Sequence, residues 1–453
     1  MNSRTPAISK GIDWSLVWIY VILCLIGIMS IFGATYQESE TVSGFQNVIN
    51  GFISLKTDYS RQALYFIIGI MLGTFILLTD SKFFTATANL WYVFGLLLLL
   101  LVFPFHTAIK GTKSIIRFGS FQLQPAELCK VFVNLALAKY LSRVDTNFTR
   151  PRSHMIAMGI ALLPALITLQ QDETGLALVY FSFFIVMFRE GLPPGYLITG
   201  FSLGVLVVAT LLVEKFTLAV ILTVIAALVI YWMRKQIRRR RRVLFMIIGI
   251  WLTCVFIQLI AVPYIFEHVF EPYQTKRIYA AIGKDYTPPN ASADDLEGPA
   301  ARKASSDQGN YNVKQSKIAI GSGGFIGKGL LKGTQTRYDF VPEQRTDFIF
   351  CTIGEGFGFV GSIIFLGIYL VLLLRIVTIA ERQRSVFSRC YAYGVASVFF
   401  FHIAINVCMT LGLAPVIGIP LPFISYGGTS LITFTVLLFV LIRLDADRQM
   451  VLR

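Results

Sequence analysis

The residues of this 453-residue chain that could do chemistry are few, and they stand beside or inside apolar runs. Arg117, Glu127, Lys130, Asp172, Glu173, Lys317, Lys328, Glu343, Arg345, Asp347 and Glu355 are all of this kind. An ionised group at the centre of a membrane helix costs about 2.5–3.5 kcal/mol on insertion scales, so it must meet water, an opposite charge or a ligand. Several of these groups should therefore face one polar cavity, where carboxylates accept protons and cations hold an anion. Arg117, Lys317, Lys328 and Arg345 could neutralise a lipid phosphate or diphosphate; for any one of them alone, ordinary loop solvation is the competing role. Glu127 and Lys130 are three apart at the head of a helix opened by Pro125, the spacing of a structural ion pair, with direct substrate contact as the alternative.

Two glycine-bearing stretches suggest shaped backbone. AIGSGGFIGKG carries glycine at 321, 323, 324, 327 and 329 around Lys328, a composition that suits an anion cradled by backbone N–H groups. It does not match a nucleotide-binding loop, which needs Ser or Thr after the lysine where this chain has Gly329. GIPLPFISYGG, 418–428, holds two prolines and a glycine pair in an apolar run. That predicts a re-entrant turn with Ser425 and Tyr426 as its polar face, because proline removes a backbone donor and glycine weakens a helix. The six cysteines, Cys24, Cys129, Cys254, Cys351, Cys390 and Cys408, lack metal-ligand spacing and read as small buried hydrophobes.

The elements that must position these groups are membrane helices. Hydrophobic residues make up 55% of the chain and charged residues 14%, spread from end to end, which excludes an ordinary soluble domain. Apolar runs at about 15–35, 62–80, 88–105, 126–141, 154–171, 175–190, 195–213, 216–233, 243–265, 350–375, 391–411 and 428–445 predict about twelve spans, with 126–141 and 175–190 short. The first reads as an uncleaved helix rather than a signal peptide.

The net charge of +15 does not point to nucleic acid, because RKQIRRRRR at 234–242 lies between two apolar runs and reads as a cytoplasmic anchor near anionic lipid. With that run inside, the basic loop at 142–153, the segment 375–389 and both termini also fall inside. The stretches 110–127, 266–349 and 418–428 fall outside. The middle of 266–349 is rich in Pro, Ala, Ser and Asp and reads as mobile, whereas its end, from Tyr311, reads as an ordered surface structure. No internal repeat marks an inverted-repeat transporter.

Four stretches carry a resemblance. GIPLPFISYGGTSL at 418–431, YNVKQSKIAIGSGGFIGKGLLKGTQTRYDFVPEQRTDFIFCTIGEGFGFVG at 311–361, IIRFGSFQLQPAELCKVFVNLALAKYL at 115–141 and QDETGLALVY at 171–180 resemble, in order, the motifs of the SEDS family of bacterial cell-wall proteins, the RodA, FtsW and SpoVE group. KIAIGSGG fits the elongation-type RodA branch. The family generally has ten membrane helices, so the resemblance implies an all-α SEDS-type bundle with an added helical pair within 195–265.

The resemblance further implies a peptidoglycan glycosyltransferase that polymerises lipid II at the outer face of the inner membrane. Its partners would be a class B penicillin-binding protein and other membrane proteins of the elongation complex. The family's essential aspartate falls nearest Asp307, although the proline beside it is missing and the register is two residues shorter. Asp294 and Asp295 are the earlier alternatives, and Glu343 is the next base if Asp307 is not. Glu343 and Asp347 match the family's acidic positions, with Arg345 in place of a histidine. A divalent cation, Mg²⁺ or Mn²⁺, could assist the leaving diphosphate. A lipid-linked precursor transporter, or a non-catalytic scaffold for the penicillin-binding protein, are the competing functions.

Overall fold

The computed structural model describes residues 11–35, 55, 57–105, 107–109, 112–118, 121–146, 148, 150–268, 299–414 and 416–448; for 299–310 and some scattered residues it describes the backbone alone. In chain order the elements are α1 (Trp14–Thr35), α2 (Asp58–Leu78), α3 (Ser81–Phe105), β1 (Thr107–Ile109), β2 (Thr112–Phe118), β3 (Phe121–Leu123), α4 (Pro125–Leu141), α5 (Pro151–Gln170), α6 (Thr174–Tyr180) and α7 (Phe183–Arg189). There follow α8 (Pro194–Leu212), α9 (Lys215–Trp232), α10 (Arg234–Arg239), α11 (Arg242–Phe256), a π-helical turn at Ile257–Ala261, α12 (Val262–His268) and α13 (Pro299–Ser322). The last are α14 (Thr334–Arg337), α15 (Ile349–Arg382), α16 (Val386–Thr410) and α17 (Gly428–Ala446). They form two compact units, 1–192 with 312–453, and 193–311.

Among the described residues, ten helices are long and apolar enough to cross a membrane. The two short runs expected from sequence are also helical: α4 has 17 residues, and α6 and α7 have seven each, separated by a turn at Phe181 and Ser182. Proline opens α4, α5 and α8, where a missing N–H costs nothing. The segment 266–349, expected as a loop ordered from Tyr311, is helical over α13, so the motif QSKIAIGS ends a helix. Its central part, 269–298, lies outside the described residues.

The first unit is built around α4, α16 and α17. In α17, 78% of the spanning stretch is buried by protein, so this helix is the axis of the bundle. Tyr20, Phe399, Phe423 and Phe434 meet there in tilted and edge-on pairs, Tyr20–Phe423 at 5.1 Å and Phe399–Phe434 at 5.2 Å between ring centroids. Three short antiparallel strands cap one end, with Arg117 opposite Gln122 and Ile116 opposite Leu123. In the second unit, α9 has only 6% of its stretch buried, and Val220, Val224, Ile225 and Leu228 point outward. Such a helix needs hydrocarbon around it, as a lipid-facing hairpin has.

α15 is a 34-residue helix with one break, at Gly358, whose φ is +65°. Only glycine fits there, because a Cβ would stand 2.4 Å from the backbone nitrogen of Gly327. At the end that the charge bias places inside, buried acids tie α15 to its neighbours. Asp13 accepts from Arg375 and Arg382, while Asp445 accepts from Arg382, Gln383 and Arg448. Glu190 pairs with Arg389 through two bonds of 3.0 and 2.8 Å.

Candidate functional site

The opposite end of the first unit gathers the expected site residues around two irregular segments, 338–348 and 417–427. The second leaves helical geometry between α16 and α17, as its prolines and glycines predict, and Phe423 takes a positive φ of 66°. Irregular backbone at membrane depth survives only when its polar atoms find partners. Side chains supply them here. Ile419 O accepts from Asn406 at 2.7 Å, Pro420 O from His402 at 3.0 Å, Pro422 O from the Tyr369 hydroxyl at 2.5 Å and Ser425 O from Gln62 at 3.3 Å. The Leu421 N–H donates to Ser425 Oγ, and the Gly427 N–H to Gln62 Oε1.

The two segments are stitched together. Asn406 Nδ2 donates to Asp347 O as well as to Ile419 O, Ser425 Oγ donates to Thr346 O at 2.6 Å, and the Tyr426 N–H donates to Arg345 O at 2.9 Å. Glu343, Arg345, Asp347 and Ser425 therefore share one end of the bundle. Glu343 is exposed, with a positive φ of 57°, and its carboxylate accepts from Thr346 Oγ1 at 3.1 Å. The Ser425 hydroxyl is buried, accepts from Leu421 N–H within the turn and donates to Thr346 O across to the other segment.

Arg345 pairs with Asp58 at the start of α2, with the side chains 43% and 21% exposed, so this guanidinium is open to solvent on one side. Arg61 and Tyr65 follow on the same helix. Tyr426 lies near both charges of this helix start: burial, helped by the Asp58 carboxylate, pushes its phenol above the ordinary value while Arg61 pulls the other way. Asp58, Arg61, Gln62, His402 and Asn406 were not singled out from sequence. The one local signal was the Arg61–Gln62 doublet a turn into an otherwise apolar helix.

Lys317 is exposed on α13 beside the turn leading to 417, close enough that a Cβ at Gly412 would stand 2.5 Å from its ammonium nitrogen. Arg117 is exposed on β2; its strand partner Gln122 accepts from Thr429 at the start of α17. Glu173, at the head of α6, accepts from Ser114 at 2.5 Å and Gln124 at 3.2 Å. The side chain of Asp307, on the first half of α13, lies outside the described residues, as do Asp294 and Asp295.

Two expectations need correction. Lys328 is not available as an anion ligand: its ammonium donates to Ser322, Thr334 and Glu355 at 2.8, 3.1 and 3.0 Å, which uses all three protons. The glycine run around it is no phosphate cradle either. The N–H groups of Gly323, Gly324, Gly327, Lys328 and Gly329 donate to the chain's own carbonyls, the last two to Glu355 O and Gly356 O. The glycines let 323–329 lie flat against the break in α15. Glu355, fully buried, accepts further from the N–H groups of Gln335 and Thr336 at 3.0 and 2.8 Å and is a structural carboxylate.

Deeper in the bundle, Glu127 and Lys130 pair at 2.7 Å, both fully enclosed. Among the described residues no three His, Cys, Asp or Glu side chains come together as a ligand set, so the divalent cation considered from sequence finds no assembled site there. What this end of the first unit offers is Arg61, Arg345 and Lys317 as cations, with Glu343 and Asp347 as carboxylates. That is the equipment to hold an anionic head group and accept a proton beside it.

The chain is 30% identical to the peptidoglycan glycosyltransferase RodA of Treponema pallidum over 96% of its own length and 97% of the relative's. To the peptidoglycan glycosyltransferase MrdB of Escherichia coli K12 it is 28% identical, covering 79% of this chain and 78% of that one. Its fold matches a subunit of a solved complex described as a peptidoglycan synthase that coordinates polymerization and crosslinking, with TM-score 0.64 and 23% identity over 96% and 98% of the two chains. The model of the FtsW/RodA/SpoVE family, described as cell cycle proteins, matches residues 14–247 and 216–450. The chain belongs to that family, a group of multi-pass proteins of the bacterial inner membrane.

Proposed function

We propose that this chain polymerises lipid II into glycan strands at the outer face of the inner membrane, in the elongation role of the RodA branch and together with a class B penicillin-binding protein. The observation that carries the reading is one end of the first unit where Arg345, Glu343 and Asp347, on a segment stitched to the 417–427 turn, stand near Arg61 of α2 and Lys317 of α13, in a family whose relatives are peptidoglycan glycosyltransferases.

In the proposed step the 4-hydroxyl of the acceptor lipid II attacks the anomeric carbon of the growing strand. The new C–O bond forms as the bond to the diphosphate breaks, a carboxylate takes the hydroxyl proton, and undecaprenyl diphosphate leaves with the electron pair. Configuration inverts, and no second acid is needed because the diphosphate departs as a stable anion. Asp307 is the proposed base, with Glu343 as its substitute. Arg345, Arg61, Lys317 and Arg117 would offset charge on the diphosphate. Asp347 and Ser425 would shape the mouth.

The test is extension of labelled lipid II by the purified chain with its transpeptidase partner. Wild type should yield polymer, Asp307→Ala none, and Glu343→Ala a reduced amount. Unchanged polymer from Asp307→Ala would move the base elsewhere, and flipping of lipid II without extension would favour a transporter.

A further inference from the structure

The intramembrane ion pair does not end at Glu127 and Lys130. The Lys130 ammonium also lies 2.8 Å from His402 Nε2 and 5.3 Å from the centre of the Phe434 ring. His402 is fully buried, and its Nδ1 stands 3.0 Å from Pro420 O. A carbonyl oxygen can only accept, so Nδ1 carries the proton; the neutral ring then presents a lone pair at Nε2, which accepts from the lysine. Tautomer and geometry thus agree on one arrangement, in which the Lys130 side chain donates to both Glu127 and the His402 Nε2 lone pair. Asn406, one turn further along α16, holds Ile419 O and Asp347 O from the same helix.

We propose that His402 is a positioning residue: it ties the buried Glu127–Lys130 pair to the Pro420 carbonyl and so sets the placement of the 417–427 turn. Through Ser425 on Thr346 and Tyr426 on Arg345, that turn sets the cations and carboxylates of the mouth. The pair is then a fixed internal anchor for the outer mouth, and α16 is the member that carries its position outward. The catalytic consequence rests on the glycosyltransferase reading; the positional one does not.

Three variants of the full chain separate these. His402→Gln keeps one acceptor and one donor at comparable reach. His402→Met fills a similar volume with neither. His402→Asn reaches Pro420 but falls short of Lys130, and it serves as the breaking variant should the Met protein not fold. Amide hydrogen exchange in detergent should show Leu421, Tyr426 and Gly427 exchanging at least tenfold faster in the Met variant, with the inner end unchanged and His402→Gln close to wild type. Lipid II turnover should fall about tenfold to a hundredfold in the Met variant, as for catalytic groups displaced by a fraction of an ångström to one ångström, and recover in the Gln variant. Unchanged exchange of the turn in both His402→Met and His402→Asn overturns the proposal. Faster exchange in a chain that never polymerises lipid II upholds the positional link and removes the glycosyltransferase reading instead.

Discussion

The two ends of the first unit use charge in opposite ways. At the inner end Asp13 and Asp445 are buried and each accepts from at least two cationic or amide donors, so arginine serves to close α1, α15 and α17 against one another. At the outer end Arg345 is shared between Asp58 and solvent, and Lys317 and Glu343 are exposed. Charge that holds a fold is paired inside the fold, even where, as at Asp13, one carboxylate oxygen is left without a partner, whereas charge that serves a ligand keeps part of its capacity facing out. Lys328 and Glu355 show that position along the bundle does not decide the matter, since they sit near the outer end and are saturated.

The largest expected break in this contrast is Asp445→Ala. It leaves Arg382 and Arg448 facing a buried gap and should lower stability by about 3 kcal/mol, read as a fall in melting temperature, with turnover per folded molecule unchanged. Arg345→Ala should do the reverse. Its half-exposed ion pair is worth about 1 kcal/mol or less to the fold, while loss of a cation at the mouth should cut lipid II polymerisation about tenfold, near 1.4 kcal/mol of transition-state stabilisation. Equal losses of stability in the two variants would erase the distinction between the ends.

The smallest effect concerns pH. Burial alone would raise the Asp13 carboxyl, but its bonds to Arg375 and Arg382 outweigh burial and hold it below the usual carboxylate range. A depressed folded value means the stabilisation is complete above the unfolded value of about 3.9 and is lost as pH falls through the folded one. Melting temperatures of wild type and Asp13→Asn should therefore differ at pH 7 and converge on acidification below about pH 4. A constant gap would show that the carboxylate's charge is not what closes the inner end.

What local chemistry determines was legible in the sequence. The apolar runs mark the helices, the spacing of Glu127 and Lys130 puts them on one face, and the prolines and glycines of 418–428 exclude a helix there. What depends on a distant partner was not. Nothing near Lys130 announces His402, 272 residues away, and nothing near Asp58 announces Arg345. The glycines of 321–329 misled because composition alone cannot tell a backbone that cradles an anion from one that packs against another backbone. The break at Gly358 that receives them lies in an otherwise apolar, helix-like run.

At about 1.5 Å per residue, the stretch of α15 beyond the break at Gly358, residues 359–382, spans roughly 36 Å, more than a hydrocarbon layer of about 30 Å. One end is fastened at the break, where the N–H groups of Phe359 and Val360 donate to Gly324 O and Phe325 O, the other to Asp13 and Asp445. Such a rod acts as a ruler: it cannot shorten in a thinner bilayer, so mismatch has to be absorbed by tilting the whole unit or by deforming the surrounding lipid. The spacing between the break beside Glu355 and the arginines at the opposite end is thereby a constant of the protein, not of the membrane that holds it.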